Sequence, residues 1–435
     1  MRATSRTFGR YSASSRRKPD PGALTREASD AAQLQRTALA VLATCFLLNM
    51  LGRGIGDTYS VFLKPLEAEF GWSRSSLTSV YSLYLLVNGF AAPFVGMAFD
   101  RVGPRWTYTT GLVVLGGAFL LAGSLDRLWQ FHLLVGISVG IGVSFTGMVP
   151  SSGLLSRWFR ARLSTALGVA YSGFGVGSVV FVPLAQILIN RIEWESAYRV
   201  LGGILLLAAL VLALGVPWKT FRAGHPAYRV DARRGEDGIG WTLRGALKTR
   251  IYWALAQAFF CTSVAMFIIL VQLVIFLIDA GFPPLTAATA VGFVGMLSAM
   301  SVMGSGFLSD RYGVRQTVST SFIGTASGML LLIALAGAPS GVLLVAFVLV
   351  FGLCMGVRGP IISSVCAKHF AGPRVATIYG TIYATNALGA ALGALLGGVL
   401  HDLTGGYRTG FMCSLGFILL AAAPFWTVKT LRDFR

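Results

Sequence analysis

The chain has 435 residues, of which 55% are hydrophobic and only 12% charged, where a soluble globular protein carries about a quarter charged. Water is therefore excluded as its main solvent. The net charge of +19 is dispersed among short segments rather than gathered on one face, which argues against a nucleic-acid partner and for topology and contact with anionic membrane lipid.

Residues 1–37 come first as a basic tail, in which Arg2 to Lys18 is rich in Arg and Ser and holds no acid. This stretch reads either as an organelle transit peptide or as a disordered cytoplasmic tail. No cleavable secretory signal is expected, because the first apolar run is a full span. Crossing the roughly 30 Å hydrocarbon core takes about 20 mostly apolar residues. The sequence predicts twelve such spans: 38–63, 77–98, 107–124, 130–155, 164–189, 198–217, 252–277, 288–308, 317–337, 342–366, 378–400 and 410–428. The runs are rich in Gly, Ala and Leu and lack the alternation of a membrane barrel, so the expected class is an all-α membrane protein.

An even number of spans puts both termini on one side. Segments on that side carry 28 of the 36 basic residues, and the opposite loops carry six: Lys64, Arg74, Arg127, Arg191, Arg199 and Arg408. The positive-inside rule then predicts a multi-pass protein of the cell (inner or plasma) membrane with both termini in the cytoplasm. Two arginines, Arg53 and Arg358, remain inside the membrane.

One phrase occurs twice. Gly96-Met97-Ala98-Phe99-Asp100-Arg101-Val102-Gly103-Pro104-Arg105 returns 210 residues later as Gly306-Phe307-Leu308-Ser309-Asp310-Arg311-Tyr312-Gly313-Val314-Arg315. Other echoes agree: Arg157-Trp158-Phe159 with Lys368-His369-Phe370, and Tyr198-Arg199 with Tyr407-Arg408. The spans thus divide into two copies of a six-helix unit, 38–217 and 252–428, with 429–435 as a short C-terminal tail. Between them residues 218–251, centred on Arg233 to Gly238, read as a cytoplasmic linker without a buried core. Two related bundles on a strap can rock around a site at their interface.

The Gly-x-x-x-Asp-Arg-x-Gly-x-Arg loop after spans 2 and 8 resembles the signature of the major facilitator superfamily. That resemblance implies twelve transmembrane helices in two bundles, with spans 1, 4, 7 and 10 lining a central cavity. It marks Gly96, Asp100, Arg101, Gly103 and Arg105, with Asp310, Arg311, Gly313 and Arg315, as a gating motif. An Asp can cap or pair at a helix end while Arg and Gly make a tight charged turn, a latch that breaks as the bundles separate. The arginines serve either this latch or topology alone.

A narrower resemblance lies in Trp158 to Gly173, which is similar to the entry of the fifth helix in the monocarboxylate transporters. Phe159, Arg162, Ala166, Gly168, Ala170 and Gly173 match, while Ala161 and Leu163 stand where that family has basic residues. Phe62 to Arg74 also looks like bacterial members of the group. The family's motif in helix 1 is replaced here by Arg53-Gly54-Ile55-Gly56-Asp57-Thr58-Tyr59, and Gly292 to Ser305 in span 8 holds no charge. The resemblance implies a secondary carrier of small organic anions, monocarboxylates first, by alternating access with proton symport.

An Arg at the bilayer centre costs at least about 2.5–3.5 kcal/mol, so it usually faces a polar cavity or a partner. Arg53 lies about 25 Å along its helix from Arg36 and about 17 Å from Lys64, too deep to escape to water. One such cation in each half is expected to clamp an anion, since guanidinium matches a carboxylate with parallel donors. Asp57, four residues after Arg53, shares its helical face. It either pairs with an arginine until substrate displaces it and then takes a proton, or it merely makes helix 1 tolerable. Tyr171 and Tyr383, at equivalent places in spans 5 and 11, and Asn386 are further candidates for the substrate site. Asn49, Asn88, Gln257 and Gln272 either orient substrate or join helices.

The five cysteines form neither a disulfide framework nor a metal site, and no nucleotide loop or nucleophile–base constellation is present. No cofactor and no enzymatic activity are expected, and a single chain suffices as the working unit. The rival readings are an efflux carrier for amphipathic compounds and a non-transporting sensor on the same fold.

Overall fold

The computed structural model describes residues 21–226 and 241–432, and no strand occurs among them. The tail before residue 21 and the Arg233 to Gly238 stretch lie outside the described residues. Span 1 is a broken helix, Pro21–Gly56 then Tyr59–Phe70. Span 2 is Arg74–Val102 and span 3 Pro104–Ala122. Span 4 comes in pieces: Leu128–Phe131, a π-helical His132–Ser138, Val139–Thr146 and Met148–Leu155. Spans 5 and 6 form one run, Leu163–Gly215, interrupted only at Ile192 and Glu193, where the backbone leaves the helical region.

The second half repeats the order with Arg250–Asp279, Pro284–Tyr312, Val314–Gly337, the broken pair Gly341–Met355 and Arg358–His369, then Val375–Thr404 and Arg408–Thr427. Ten of these runs are long and apolar enough to cross a membrane. The Leu163–Gly215 run supplies two crossings, and Pro104–Ala122, whose first turn is polar, completes the twelve. Helix starts follow ordinary chemistry: Ser73 and Thr249 accept hydrogen bonds from the backbone N–H groups of Ser76 and Tyr252, and Pro104 and Pro284 stand where a missing N–H costs nothing.

The halves meet along two pairings, span 2 on span 11 and span 5 on span 8. Glycine lets them touch backbone to backbone. A Cβ at Gly96 would overlap the carbonyl oxygen of Ala376, and one at Gly306 would overlap that of Ser164.

The linker departs from expectation at both ends. Trp218–Ala223 and Leu243–Leu247 are helical, and Trp218, Phe221 and Ala246 are buried. The Trp158 indole N–H donates to the Phe221 carbonyl (2.9 Å), the His225 N–H donates to the Arg157 carbonyl (3.0 Å), and the Trp241 ring packs 5.2 Å from Phe370. Its aromatic residues bury too much apolar area to stay in water, so the strap is fastened to the loop after span 4 and to the loop after span 10.

Candidate functional site

Three of the central helices break at glycine-rich points. Glycine weakens a helix by about 1 kcal/mol relative to Ala, and each break exposes polar groups inside the membrane. In span 1 the break falls at Asp57–Thr58, in span 4 at Gly147 and in span 10 at Gly356–Val357. The first break leaves Arg53 in the last turn of one piece and Asp57 in the gap.

There Arg53 Nε donates to Asp57 Oδ2 at 2.9 Å, while Asp57 Oδ1 accepts from the Tyr84 hydroxyl at 3.1 Å and the Tyr81 hydroxyl at 3.3 Å. The guanidinium also stands 5.5 Å from the centre of the Tyr84 ring. Its two Nη groups have no acceptor among the described residues, and the Arg53 and Asp57 side chains remain 25% and 20% exposed. They are therefore reachable. Arg53 opens onto a tight cavity of about 20 Å³, walled by Asn88, Ser144, Met148 and Phe174 from the first half and by Tyr383 from the second. That volume holds about one water, so an organic substrate needs the halves to part.

The other expected site residues lie outside this wall. Arg358, 1% exposed, gives Nη1 to Thr325 Oγ1 (3.2 Å) and Nη2 to the Met355 carbonyl (3.3 Å), and its guanidinium lies 4.9 Å from the Phe322 ring. Its Nε has no partner, and no carboxylate is within ion-pair distance among the described residues. Thr325 and Phe322 belong to span 9, and Nη2 also lies 3.9 Å from Met266 Sδ of span 7, so Arg358 is enclosed within its own half and is not part of the Arg53 cavity wall. The Tyr171 hydroxyl pairs with Ser363 (2.8 Å) and donates to the Met148 carbonyl (3.1 Å), one layer beneath Phe174. Asn386 accepts from Ser263 within the second half. The structure thus brings Arg53, Asp57 and Tyr383 together, and holds Arg358, Tyr171 and Asn386 apart from them.

Tyr81 and Tyr84 were not singled out from the sequence. Their signal is spacing: Tyr81, Tyr84 and Asn88 fall at i, i+3 and i+7 and so share one face of span 2.

The repeated motif closes one end of the molecule. Asp100 Oδ2 accepts from the Thr377 N–H (2.8 Å) and Oγ1 (2.6 Å), and Asp310 Oδ2 accepts from the Thr165 N–H (2.9 Å) and Oγ1 (2.7 Å). Thr377 and Thr165 lie in the first turns of spans 11 and 5, whose own N-cap residues, Arg374 and Arg162, provide no side-chain cap. Each aspartate therefore caps a helix of the opposite half, where unpaired N–H groups and the helix dipole favour a negative charge. The turns that aim them need Gly103 (φ 87°, ψ 176°) and Gly313 (φ 88°, ψ 157°), in a region that only glycine occupies readily.

Arg101 is exposed, and Arg105, Arg311 and Arg315 lie 6.0, 5.6 and 4.6 Å from the rings of Trp106, Tyr312 and Trp426. Behind the caps, Ser164 bonds Ser364 (2.8 Å) and Ser363 bonds Ser152 (2.9 Å), again across the halves. Gly306→Val is expected to prevent this closure, because its side chain meets the Ser164 backbone. Thiol-labelling of this end should rise in that variant and its thermal midpoint should fall by several degrees.

A sequence model described as the Major Facilitator Superfamily matches residues 42–306 and 298–433. Monocarboxylate transporter 13 of Bos taurus is 28% identical over 389 residues, covering 89% of this chain and 88% of that protein. An uncharacterized MFS-type transporter of Bacillus subtilis, YcxA, is 25% identical over 88% of this chain and 93% of its own length. Among solved structures, the proton:xylose symporter XylE superposes with a TM-score of 0.72 at 14% identity, over 90% of this chain and 95% of that one. FucP in its outward conformation gives 0.69 at 16% identity, over 88% and 97%.

Proposed function

The chain belongs to the major facilitator superfamily and is a multi-pass membrane transporter, and on that footing we propose that it carries small monocarboxylates by proton-coupled symport. The observation that supports this reading best is the half-used guanidinium. Asp57 engages only Nε of Arg53, so the Nη groups of this cavity-lining residue have no acceptor among the described residues and can serve as a fork for a carboxylate. A substrate carboxylate bound there competes with Asp57 for the same cation. Asp57 then holds its charge less well and takes a proton, while the Tyr81 and Tyr84 hydroxyls keep it in place. Anion and proton cross together as a neutral load, and Tyr383 lets the second half sense it. The relatives named monocarboxylate transporters support the same substrate class.

In this proposal residues 38–217 and 252–428 are the two moving bodies, and the motif end and both termini face the cytoplasm of a cell-membrane protein, a reading supported by the distribution of basic residues. Asp100 and Asp310 then latch the cytoplasmic face shut, so substrate enters when the halves part at the opposite, outer end. Arg358, Tyr171 and Asn386 brace the wall from behind; Arg358 reaches substrate only if span 10 turns at Gly356–Val357. A second reading, efflux of amphipathic compounds, is favoured by that rearward arginine and by the Phe174 and Tyr383 wall.

The test is a thermal-shift screen of small carboxylic acids on purified protein, followed by uptake into vesicles. An acid gradient directed inward should raise the initial rate of the best acid several-fold, and a protonophore should abolish the gain. Transport of uncharged or cationic amphipaths with indifference to carboxylates would overturn the proposal for the efflux reading.

A further inference from the structure

Away from the interface of the halves, a hollow of about 380 Å³ opens between the first turns of span 7, the last turns of span 12 and the end of the Leu243–Leu247 helix. It lies at the motif end of the molecule, because Arg315 of the second motif stands 4.6 Å from the ring of Trp426 on span 12. Its lining holds two cations, Lys248 and Arg250, and no acid. Both are exposed, and neither has an ion pair or a side-chain hydrogen bond among the described residues. Arg250, Trp253 and Gln257 fall at i, i+3 and i+7, so one face of span 7 forms a wall that runs from the charged end into the membrane. Trp253 is 59% exposed at the level where a span meets the headgroup layer, and its indole N–H donates to the Leu247 carbonyl at 2.8 Å, which holds the ring in place. Deeper in, Pro424 has no N–H for the Leu420 carbonyl four residues before it, and Gln257 crosses from span 7 to donate to that oxygen at 3.1 Å. The backbone beside the hollow is thereby satisfied where it would otherwise meet hydrocarbon, and small Ala254 and Ala423 line the space.

We propose that this hollow binds one anionic phospholipid, with the headgroup phosphate against Lys248 and Arg250 and the acyl chains passing over Ala254 and Ala423 along the seam of spans 7 and 12. Charge that serves topology alone requires neither a hollow nor an aromatic wall, and it does not distinguish one headgroup from another. This lining does: a zwitterionic headgroup brings an ammonium for which it holds no carboxylate, whereas an anionic one meets complementary charge only. A lipid fits better than a free anion because the wall continues below the cations into the span, where Trp253 and Gln257 stay exposed. One bound lipid then ties the end of the linker to both spans. The inference stands apart from the carboxylate reading of Arg53, and in the orientation proposed above it places the site in the leaflet that holds anionic lipid.

The experiment is native mass spectrometry of the purified full-length protein in detergent, offered an equal mixture of dioleoyl phosphatidylglycerol and dioleoyl phosphatidylcholine. A cation beside an anionic lipid contributes about five-fold, so the first retained lipid should be the anionic one by roughly twenty-fold. In Lys248→Gln/Arg250→Gln that preference should fall to within about two-fold. Thr427→Trp, at an exposed position of the lining, keeps both cations but fills the hollow, and it should lose the retained anionic lipid as well. Lys219→Gln/Arg374→Gln removes the same charge from exposed positions at the same end outside the hollow and should behave like the parent. An equal loss in that control, or a preference that survives both hollow variants, overturns the site. A rise in thermal midpoint with inorganic phosphate as large as that with phosphatidylglycerol overturns the lipid as its occupant.

Discussion

Arg53→Gln is expected to lower carboxylate uptake in reconstituted vesicles by roughly ten- to a hundred-fold. Charge-assisted hydrogen bonds contribute about 1.5–3 kcal/mol, and the substitution removes the only cation that lines the cavity among the described residues. It also strands Asp57, which is held only by two tyrosine hydroxyls once Nε is gone. Arg53→Lys should recover part of the rate, since it restores the charge but not the fork. Asp57→Asn separates the two roles of the pair. It should keep binding of the acid, measured by thermal shift, while uptake loses its stimulation by an inward acid gradient. Retention of full gradient dependence in Asp57→Asn would remove Asp57 from the coupling path, and parent-like uptake in Arg53→Gln would remove the anion site from the cavity altogether.

Asp100→Ala and Asp310→Ala should each shift the molecule toward a state open at the motif end, and the double variant should shift it most. Each aspartate makes two bonds to a threonine at a helix start of the other half, and loss of a helix cap typically costs about 0.5–2 kcal/mol. A single variant should therefore change the closed-to-open ratio by up to roughly thirty-fold, and the pair by about the product if the two caps act independently. Spin labels at Lys219, in the linker helix fastened to the first half, and at Arg374 of the second half, both exposed, report the change as a longer distance. Thr377→Val, which keeps the backbone N–H as a donor, should give a smaller shift than Asp100→Ala. An unchanged distance distribution in the double variant would show that the serine contacts behind the caps hold the end closed by themselves.

Much of the architecture was legible because membrane helices are written as composition and length. The twelve apolar runs and the repeated motif needed no knowledge of contacts. What the motif aspartates touch was not legible, since Thr377 lies 277 positions from Asp100 and Thr165 lies 145 from Asp310. Only the fold brings them together. Arg53 and Arg358 show the same limit in another form. Distance from the ends of a span gives the depth of a residue, but the direction it faces depends on helical phase, and the phase is lost at a break. Arg53 lies before the break in span 1 and faces the cavity. Arg358 lies just after the break at Gly356–Val357 and faces span 9. The breaks have a signal in the sequence, in the glycines that flank Arg53 and in Gly147 and Gly356. The buried ends of the linker were hidden by its charged centre, although Trp218, Phe221 and Trp241 were in plain view.

The exchange of helix caps has the geometry of an isologous contact, in which patch a meets b′ and patch a′ meets b. Asp100 reaches Thr377 and Asp310 reaches Thr165, as two identical subunits around a two-fold axis would bind each other. In such a dimer one substitution would act twice. In a fused chain the two contacts are free to diverge, and they have: Arg157, stacked on Phe99 beside Asp100, has Lys368 as its counterpart in the repeat. The two closing contacts can therefore differ in strength, and one chain can open unevenly in a way that a symmetric pair cannot.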